Sequence, residues 1–342
     1  MTINRRDLIK AAAAGTTLGW LGQTPALAQD KSIKIISWGG SYGEAMRSAW
    51  MDPFTAASGI RSELRLQSGM METLASLRAN KGRIDDDLWV TGVTPTVLAK
   101  QDGLLEPIPV GQLKNAGQLP AEMVNETYVG VWRLPFGIIY NPETVPFEIT
   151  KWTDLFDERL KGKLTAPQGS GYNGRFIALL AWLAGGDENN VDPGFELAKK
   201  LTPNVSIFTS ADPEQVRLLS SGEVDVAAFA PVGNYISLRK SAPQYRFVCP
   251  KPYIPMSFNN IVILKGANVA AATAFIDFII SKEPQEKIAE MLGFLPMTEQ
   301  AELPAALREL VPPGTEVRYP DEVAIADKLT AWADRWQQEI QR

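Results

Sequence analysis

The chain has 342 residues, 45% of them apolar and 21% charged, and a formal net charge of −5. That length holds two domains of ordinary size, and the composition is that of an ordinary globular protein. Histidine is absent and cysteine occurs once, at Cys249, which excludes Ser-His-Asp and Cys-His catalysis, histidine-built zinc sites and any internal disulfide.

Residues 1–28 read as an export signal. Arg5-Arg6 precede a small apolar run from Ala11 to Leu21, and Ala26-Leu27-Ala28 offers the small residues of a cleavage site. The arginine pair resembles a twin-arginine signal, while Leu8-Ile9 leaves Sec export open. The apolar run is too short to span a bilayer. Cleavage near Gln29 would place the mature chain in the periplasm. It would remove three basic residues and one acid, moving the charge from −5 to −7. Such a balance argues against broad binding to nucleic acid or anionic membrane.

Strands and helices then alternate. Ile33–Ser37 is a β-branched run, Trp38–Gly43 a glycine-rich loop, and helical spacing follows at Ala45, Ala49 and Trp50 up to Gly59. Pro53 predicts a kink or break in that helix. Leu64 and Leu66 mark a second strand, and Ser68 is the expected cap of a helix over Met70–Ala79. Asp85-Asp86-Asp87 leads into a third strand at Leu88-Trp89-Val90 and reads as a solvated strand entry rather than a metal site. Such alternation predicts a mostly parallel sheet, whose ligands bind beyond the carboxyl ends of the strands. Trp38–Tyr42 and Trp89–Thr94 are therefore cleft candidates.

The apolar stretch Trp132–Pro142, with Pro135 inside it, reads as a segment crossing from one lobe to another. New strands follow at Leu164–Ala166, Val205–Phe208 and Val224–Phe229. Gly169–Gly174 leads into a helix over Arg175–Leu183, and a helix from Pro193 ends at Leu201. Ser210 or Asp212 caps a helix with Pro213 in its first turn. Cys249 reads as a buried strand-end residue without a partner to activate it. Phe258–Leu264 resembles a return crossing, followed by helices at Ala270–Ile280 and Pro284–Leu292. The tail from Ala324 is amphipathic, with Ile325, Leu329, Trp332 and Trp336 on one face. Nine tryptophans exceed the needs of a core, so some should line a binding surface.

Ile35-Ile36-Ser37-Trp38-Gly39-Gly40-Ser41-Tyr42 resembles the opening strand and loop of bacterial extracellular solute-binding proteins. Trp132–Asn141 resembles their first inter-lobe strand, and Leu219–Ala227 their second-lobe helix–strand junction. Within that superfamily the chain is most similar to the spermidine/putrescine-type binding proteins of ABC importers. The resemblance implies an α/β, two-lobed periplasmic-binding-protein fold. Each lobe is then a mixed, mostly parallel sheet flanked by helices, and crossover strands join the two. Residues 29–137 and 260–315 would form lobe 1, 138–259 lobe 2, and 316–342 a helical tail packed on the lobes. It also implies a monomer that closes on a small organic solute and delivers it to a membrane permease, without cofactor, metal or catalysis.

Polyamine binders of this family hold a dication between aromatic walls, with carboxylates on its ammonium ends. Trp38 matches a wall position, Phe229 stands near a tryptophan position, and Asn259 stands where an Asp is expected. The second-lobe loop Gly169–Gly174 carries no carboxylate. An alternative ligand is a carboxylate, phosphonate or amino-acid-like solute, met by Arg133, Arg175 and the N–H groups of the glycine-rich helix start. The full candidate set is Trp38, Ser41, Tyr42, Thr91, Arg133, Ser170, Tyr172, Asn173, Arg175, Asn234, Tyr253 and Asn259. Trp89 and Trp132 divide evenly between core and wall. No Tyr-Tyr pair supports ferric iron. A secreted enzyme on a similar scaffold lacks a visible paired-carboxylate or Ser-Lys signature, and a sensor-input role would use the same closure as transport.

Overall fold

The computed structural model describes residues 32–341 apart from 82–84, 211, 304, 309 and 311–315. The expected export signal and its cleavage point lie outside the described residues. Strand β1 (Ser32–Ser37) leads to α1 (Gly40–Met46). The loop expected over Trp38–Gly43 is thus only two residues long, because Gly40 makes the turn itself at φ 59°. The break expected at Pro53 falls one turn earlier. A π-turn at Arg47–Met51 separates α1 from α2 (Asp52–Ser58), and Pro53 sits in the first turn of α2. The π-turn just ahead of the proline widens the hydrogen-bond ladder, so that the Asp52 N–H reaches the Arg47 carbonyl.

β2 (Arg61–Leu66), α3 (Met70–Ala79), β3 (Leu88–Thr91), α4 (Val93–Gln101) and β4 (Leu105–Glu106) complete the first run. Ser68 does not cap α3. Gly69 takes the extended cap position, and the Thr73 hydroxyl donates back to its carbonyl at 2.8 Å. The three aspartates fasten the strand entry: Asp87 accepts the Lys34 N–H at 2.9 Å and the Asn268 N–H at 2.8 Å, Asp86 pairs with Arg65, and Asp85 pairs with Lys34.

The long strand β5 (Val129–Tyr140) opens the second lobe. It is followed by β6 (Leu164–Pro167), α5 (Arg175–Leu183), α6 (Asp192–Leu201), β7 (Val205–Thr209), α7 (Asp212–Ser221), β8 (Val226–Pro231), α8 (Val232–Leu238) and β9 (Arg246–Val248). A second long strand, β10 (Tyr253–Leu264), returns. The chain ends with α9 (Val269–Ile279), α10 (Lys282–Leu292), β11 (Leu295–Pro296), α11 (Ala305–Arg308), β12 (Glu316–Arg318), α12 (Glu322–Ala326) and α13 (Leu329–Glu339).

Strand order is β2-β1-β3-β10-β5-β8-β6-β7. In the first lobe β1 runs parallel to β2 and β3, and β10 lies antiparallel to β3. In the second, β6 runs parallel to β7 and β8, and β5 lies antiparallel to β8. Each lobe is therefore built on three parallel strands and one antiparallel crossing strand, with the short strands β9 and β11 added to β5, and β4 and β12 to β10. The crossing strands change cores along their length. Val129, Val131 and Trp132 of β5 pack with Ile33, Trp50 and Phe275, whereas Phe136, Ile138 and Tyr140 pack with Leu164, Phe176 and Phe229.

The tail belongs to the second core through Ile325, Trp332, Trp336 and Ile340. It explains two glycines of the Gly169–Gly174 loop. A Cβ on Gly169 would lie 2.4 Å from the Trp336 Cβ, and one on Gly174, at φ 74°, would press on Ile325 and Leu329 at 3.1 Å. The tail also bridges the lobes. The Arg175 Nη2 donates to the nearly buried Glu322 carboxylate at 2.6 Å, and the Glu322 carbonyl accepts from the Thr94 hydroxyl of α4 at 3.3 Å.

Because both charges are largely out of water, removing one strands the other. Glu322→Gln should lower the unfolding free energy by about 3 kcal/mol, measured by urea denaturation. The double change Arg175→Met with Glu322→Leu should recover part of that loss. A single variant within about 0.5 kcal/mol of the parent would refute the pair as a structural fastener.

Candidate functional site

Both lobes present aromatic rings at the carboxyl ends of their strands. On the first, Trp38 leaves β1 and lies 5.8 Å from Tyr42 of α1, which lies 5.5 Å from Phe294. Behind them Trp132 lies 5.4 Å from Phe294 and stacks on Trp50 at 5.2 Å. On the second, Phe136 stacks on Phe229 at 4.5 Å, and Tyr172 meets Phe136 at 5.2 Å, edge to face. Tyr172 and Asn173 hold left-handed backbone at φ 50° and 54°. That conformation costs an L-residue roughly 1 kcal/mol or more, and here it aims the Tyr172 ring at Phe136 and Phe229.

Asp212, the first residue of α7, is bonded to the second set. Its Oδ1 accepts the Tyr172 hydroxyl in a short hydrogen bond and the Asn234 Nδ2 at 2.9 Å. The same Asn234 nitrogen donates to the buried Gln215 Oε1 at 2.9 Å, and Gln215 Nε2 donates to the Phe229 carbonyl at 3.1 Å. The carboxylate is thus fixed through a chain of amides to β8. Its Oδ2 has no protein donor among the described residues. The negative charge of Asp212 reaches tyrosines of both lobes. Burial pushes the Tyr42 hydroxyl up to about 12, with Asp212 adding to the shift. Burial, then Asp212, raises Tyr172 well above the usual tyrosine value. Both phenols stay neutral and remain hydrogen-bond donors at any physiological pH.

Of the candidates named from sequence, Trp38, Tyr42, Tyr172 and Asn234 converge here. Thr91 and Asn259 support the first wall: the Asn259 Nδ2 donates to the Thr91 carbonyl at 3.1 Å and its Oδ1 accepts the Trp132 Nε1 at 2.9 Å. Trp89 and Trp132 are fully buried, so both are core. Arg133 is engaged elsewhere, donating through Nε at 3.1 Å and Nη2 at 2.8 Å to the Pro296 carbonyl. Arg175 is held by Glu322. Ser41 and Ser170 are exposed, and Asn173 is half-buried. Tyr253 joins a different cluster, with Trp182 at 6.3 Å and the Arg318 guanidinium over its ring at 5.1 Å. Cys249 is buried, and burial pushes its thiol up to about 12, far from nucleophilic use.

Sequence reading missed Gln215, which holds Asn234, and took Asp212 only for a helix cap; Phe136, Phe229 and Phe294 are buried and back the site as core. The Gly169–Gly174 loop carries no acid; the carboxylate beside Tyr172 is that of Asp212, at the start of α7.

The tyrosine shifts fix an alkaline limit. Tyr42 ionises near pH 10 when unfolded and at about 12 when folded, so its contribution is complete below pH 10 and lost as pH rises to 12. Urea midpoints between pH 10 and pH 12 should fall less steeply for Tyr42→Phe than for the parent. Equal slopes would mean that the hydroxyl is solvated.

Comparison with known proteins bears on the same architecture. The family model described as bacterial extracellular solute-binding protein matches residues 49–311. The spermidine/putrescine-binding periplasmic protein of Salmonella typhimurium is 23% identical over 310 residues, covering 84% of this chain and 83% of that protein. The gamma-aminobutyric acid-binding protein of Pseudomonas aeruginosa is 24% identical over 300 residues, with the same coverage. Among solved structures, the spermidine/putrescine ABC transporter substrate-binding protein PotD of Streptococcus pneumoniae superposes with a TM-score of 0.76 at 18% identity, covering 90% of this chain and 99% of that one. Two lobes joined by paired crossing strands, and a family match across most of the length, lead to one conclusion: this chain belongs to the bacterial extracellular solute-binding protein family.

Proposed function

We propose that the chain captures a small organic amine between its lobes and hands it unchanged to the membrane permease of an ABC importer. The observation that carries this reading is Asp212, a fixed carboxylate with one open oxygen among the described residues, set beside Tyr172 and within reach of Tyr42. An ammonium donates well to a carboxylate and is drawn to aromatic faces, so acid and rings recognise the same group. Relatives named for spermidine, putrescine and gamma-aminobutyric acid support it, since all three ligands carry a primary ammonium on a short methylene chain. Polyamine-type solutes are the class the family resemblance favours.

The anion-first alternative has less support. Arg133 and Arg175 already serve protein acceptors, and Gly169 and Gly174 make room for the tail. The proposed contact set is therefore Trp38, Tyr42, Tyr172, Asp212 and Asn234, with Thr91 and Asn259 behind the wall. The reading also places the mature protein in the periplasm as a monomer that binds without turnover. Lobe exchange is assigned to the middles of β5 and β10.

A thermal-shift screen of the purified protein with polyamines, amino acids, organic acids and phosphonates tests it. An amine should raise the melting temperature, because it binds only the folded state, and mass spectrometry should recover it unaltered. Asp212→Asn should weaken that amine about tenfold to a hundredfold, as expected for loss of a charge-assisted hydrogen bond. Trp38→Ala should weaken it about fivefold, the scale of one cation–π contact. A response confined to organic acids or phosphonates, or a chemically altered product at catalytic rates, would overturn the proposal.

A further inference from the structure

A cavity of about 170 Å³ lies between the first lobe and the tail. Val93 of α4, Tyr128 just before β5, Phe258 of β10, and Tyr319, Asp321 and Val323 of the tail line it. Asp212 is not among its residues. We propose that this cavity is a binding site of its own, and that it takes a small organic cation.

Its walls are aromatic. The Phe258 ring lies 5.9 Å from Tyr128 and 6.1 Å from Tyr319, so the three rings run on from one another. Tyr128 and Tyr319 are half-buried and remain within reach of a solute, while Phe258 is nearly buried and backs them. Burial raises both tyrosine hydroxyls above their usual value, so both rings are neutral at physiological pH. A neutral aromatic face attracts a cation through its quadrupole.

Asp321 supplies the charge. Its Oδ1 accepts the N–H groups of Val323 and Ala324 at 3.1 and 3.0 Å, which fixes the carboxylate at the start of α12. Its Oδ2 has no protein donor among the described residues. Capping accounts for Oδ1, and the aromatic hollow beside it gives Oδ2 a partner to recognise, since an ammonium donates to such an oxygen.

The bases nearby are engaged elsewhere. No Lys or Arg lines the cavity among the described residues. Arg175 is bound to Glu322, the second acid of the lining, at 2.6 Å. Arg133, whose charge reaches the Tyr319 hydroxyl, donates to the Pro296 carbonyl at 2.8 Å. Arg318, next to Tyr319 in the chain, stacks over Trp182 and Tyr253 at 4.5 and 5.1 Å. An anion would meet two carboxylates in this lining, and a neutral solute would gain the apolar walls alone. Position gives occupancy a consequence. The tail that carries Asp321 is packed into the second core by Ile325 and Trp332, and the Glu322 carbonyl holds it to Thr94 of α4. A cation bound here touches the first lobe and the tail together, so it favours the arrangement in which they meet.

Butylammonium and 1-butanol have the same chain and differ in charge. Each is titrated into the purified protein at pH 7 while tyrosine ring signals are followed by NMR, with Tyr42, Tyr128, Tyr172 and Tyr319 assigned by single Phe substitutions. The Tyr128 and Tyr319 signals should move along one butylammonium curve, about fivefold tighter than any 1-butanol curve. Asp321→Asn keeps a side chain that caps helices well and should weaken that curve about fivefold. Val323→Phe, which enlarges an exposed side chain of the lining, should weaken it too. Butylammonium that moves only Tyr42 and Tyr172 would overturn this inference and leave the Asp212 reading standing. Movement of Tyr128 and Tyr319 alone would support it and count against Asp212. A 1-butanol curve as tight as that of butylammonium, or an Asp321→Asn curve equal to the parent's, would refute a cation site. Silence of all four tyrosines would remove both readings. If Asp321→Asn does not fold, the parent's preference between the two solutes and the Val323→Phe curve decide the question.

Discussion

The antiparallel pairing of β5 with β10 is the constraint on which the rest depends. Each strand is twelve residues long and contributes one half to each lobe. A buried backbone must satisfy its N–H and C=O groups, and these two strands do so largely against each other from Met256–Pro135 to Ile261–Val129. The lobes therefore meet through a paired ribbon rather than a free linker. Irregular register at Asn259/Asn260 in one strand and at Gly137/Ile139 in the other lies near the change of core. Bulges bend and twist a ribbon locally, which suits it to turn one sheet into the next. Gly137 has a further reason to be glycine, since a Cβ there would lie 2.2 Å from the Val248 carbonyl oxygen.

The tail acts on the same geometry from outside. Its tryptophans complete the second core, and through Glu322 it also reaches Thr94 of the first lobe. Any motion of one lobe against the other must therefore be accommodated at α12 as well as in the crossing strands. Glu322 takes up Arg175 at the same point. Arg175 and Glu322 thus meet each other's charge inside the protein, where both side chains are nearly buried.

The fold was legible in the sequence to the extent that it rests on local pattern. Ile33–Ser37 and Trp132–Tyr140 announce themselves because buried strands need unbroken β-favouring runs, and Gly59 ends its helix in the left-handed conformation that favours glycine. The site was legible only in part. Trp38, Tyr42 and Tyr172 follow from the rule that ligands lie beyond strand ends. Asp212 does not, because a carboxylate before a proline at a helix start has an adequate local explanation as a cap. What ties it to the second-lobe strand ends is Tyr172, forty residues earlier, and Asn234, twenty-two residues later. The partners of Arg133 and Arg175 were equally hidden: their charge invites an anion, while the Pro296 carbonyl and the Glu322 carboxylate that meet them are more than a hundred residues away.

Two neutral tyrosines lie within reach of the Asp212 charge. Tyr172 donates a hydrogen bond to Asp212, which disperses the carboxylate charge without cancelling it. Raising the pKa of both phenols keeps either ring from adding a second negative charge. Both hydroxyls thus remain donors over the physiological range, held beside an acid whose charge reaches each of them.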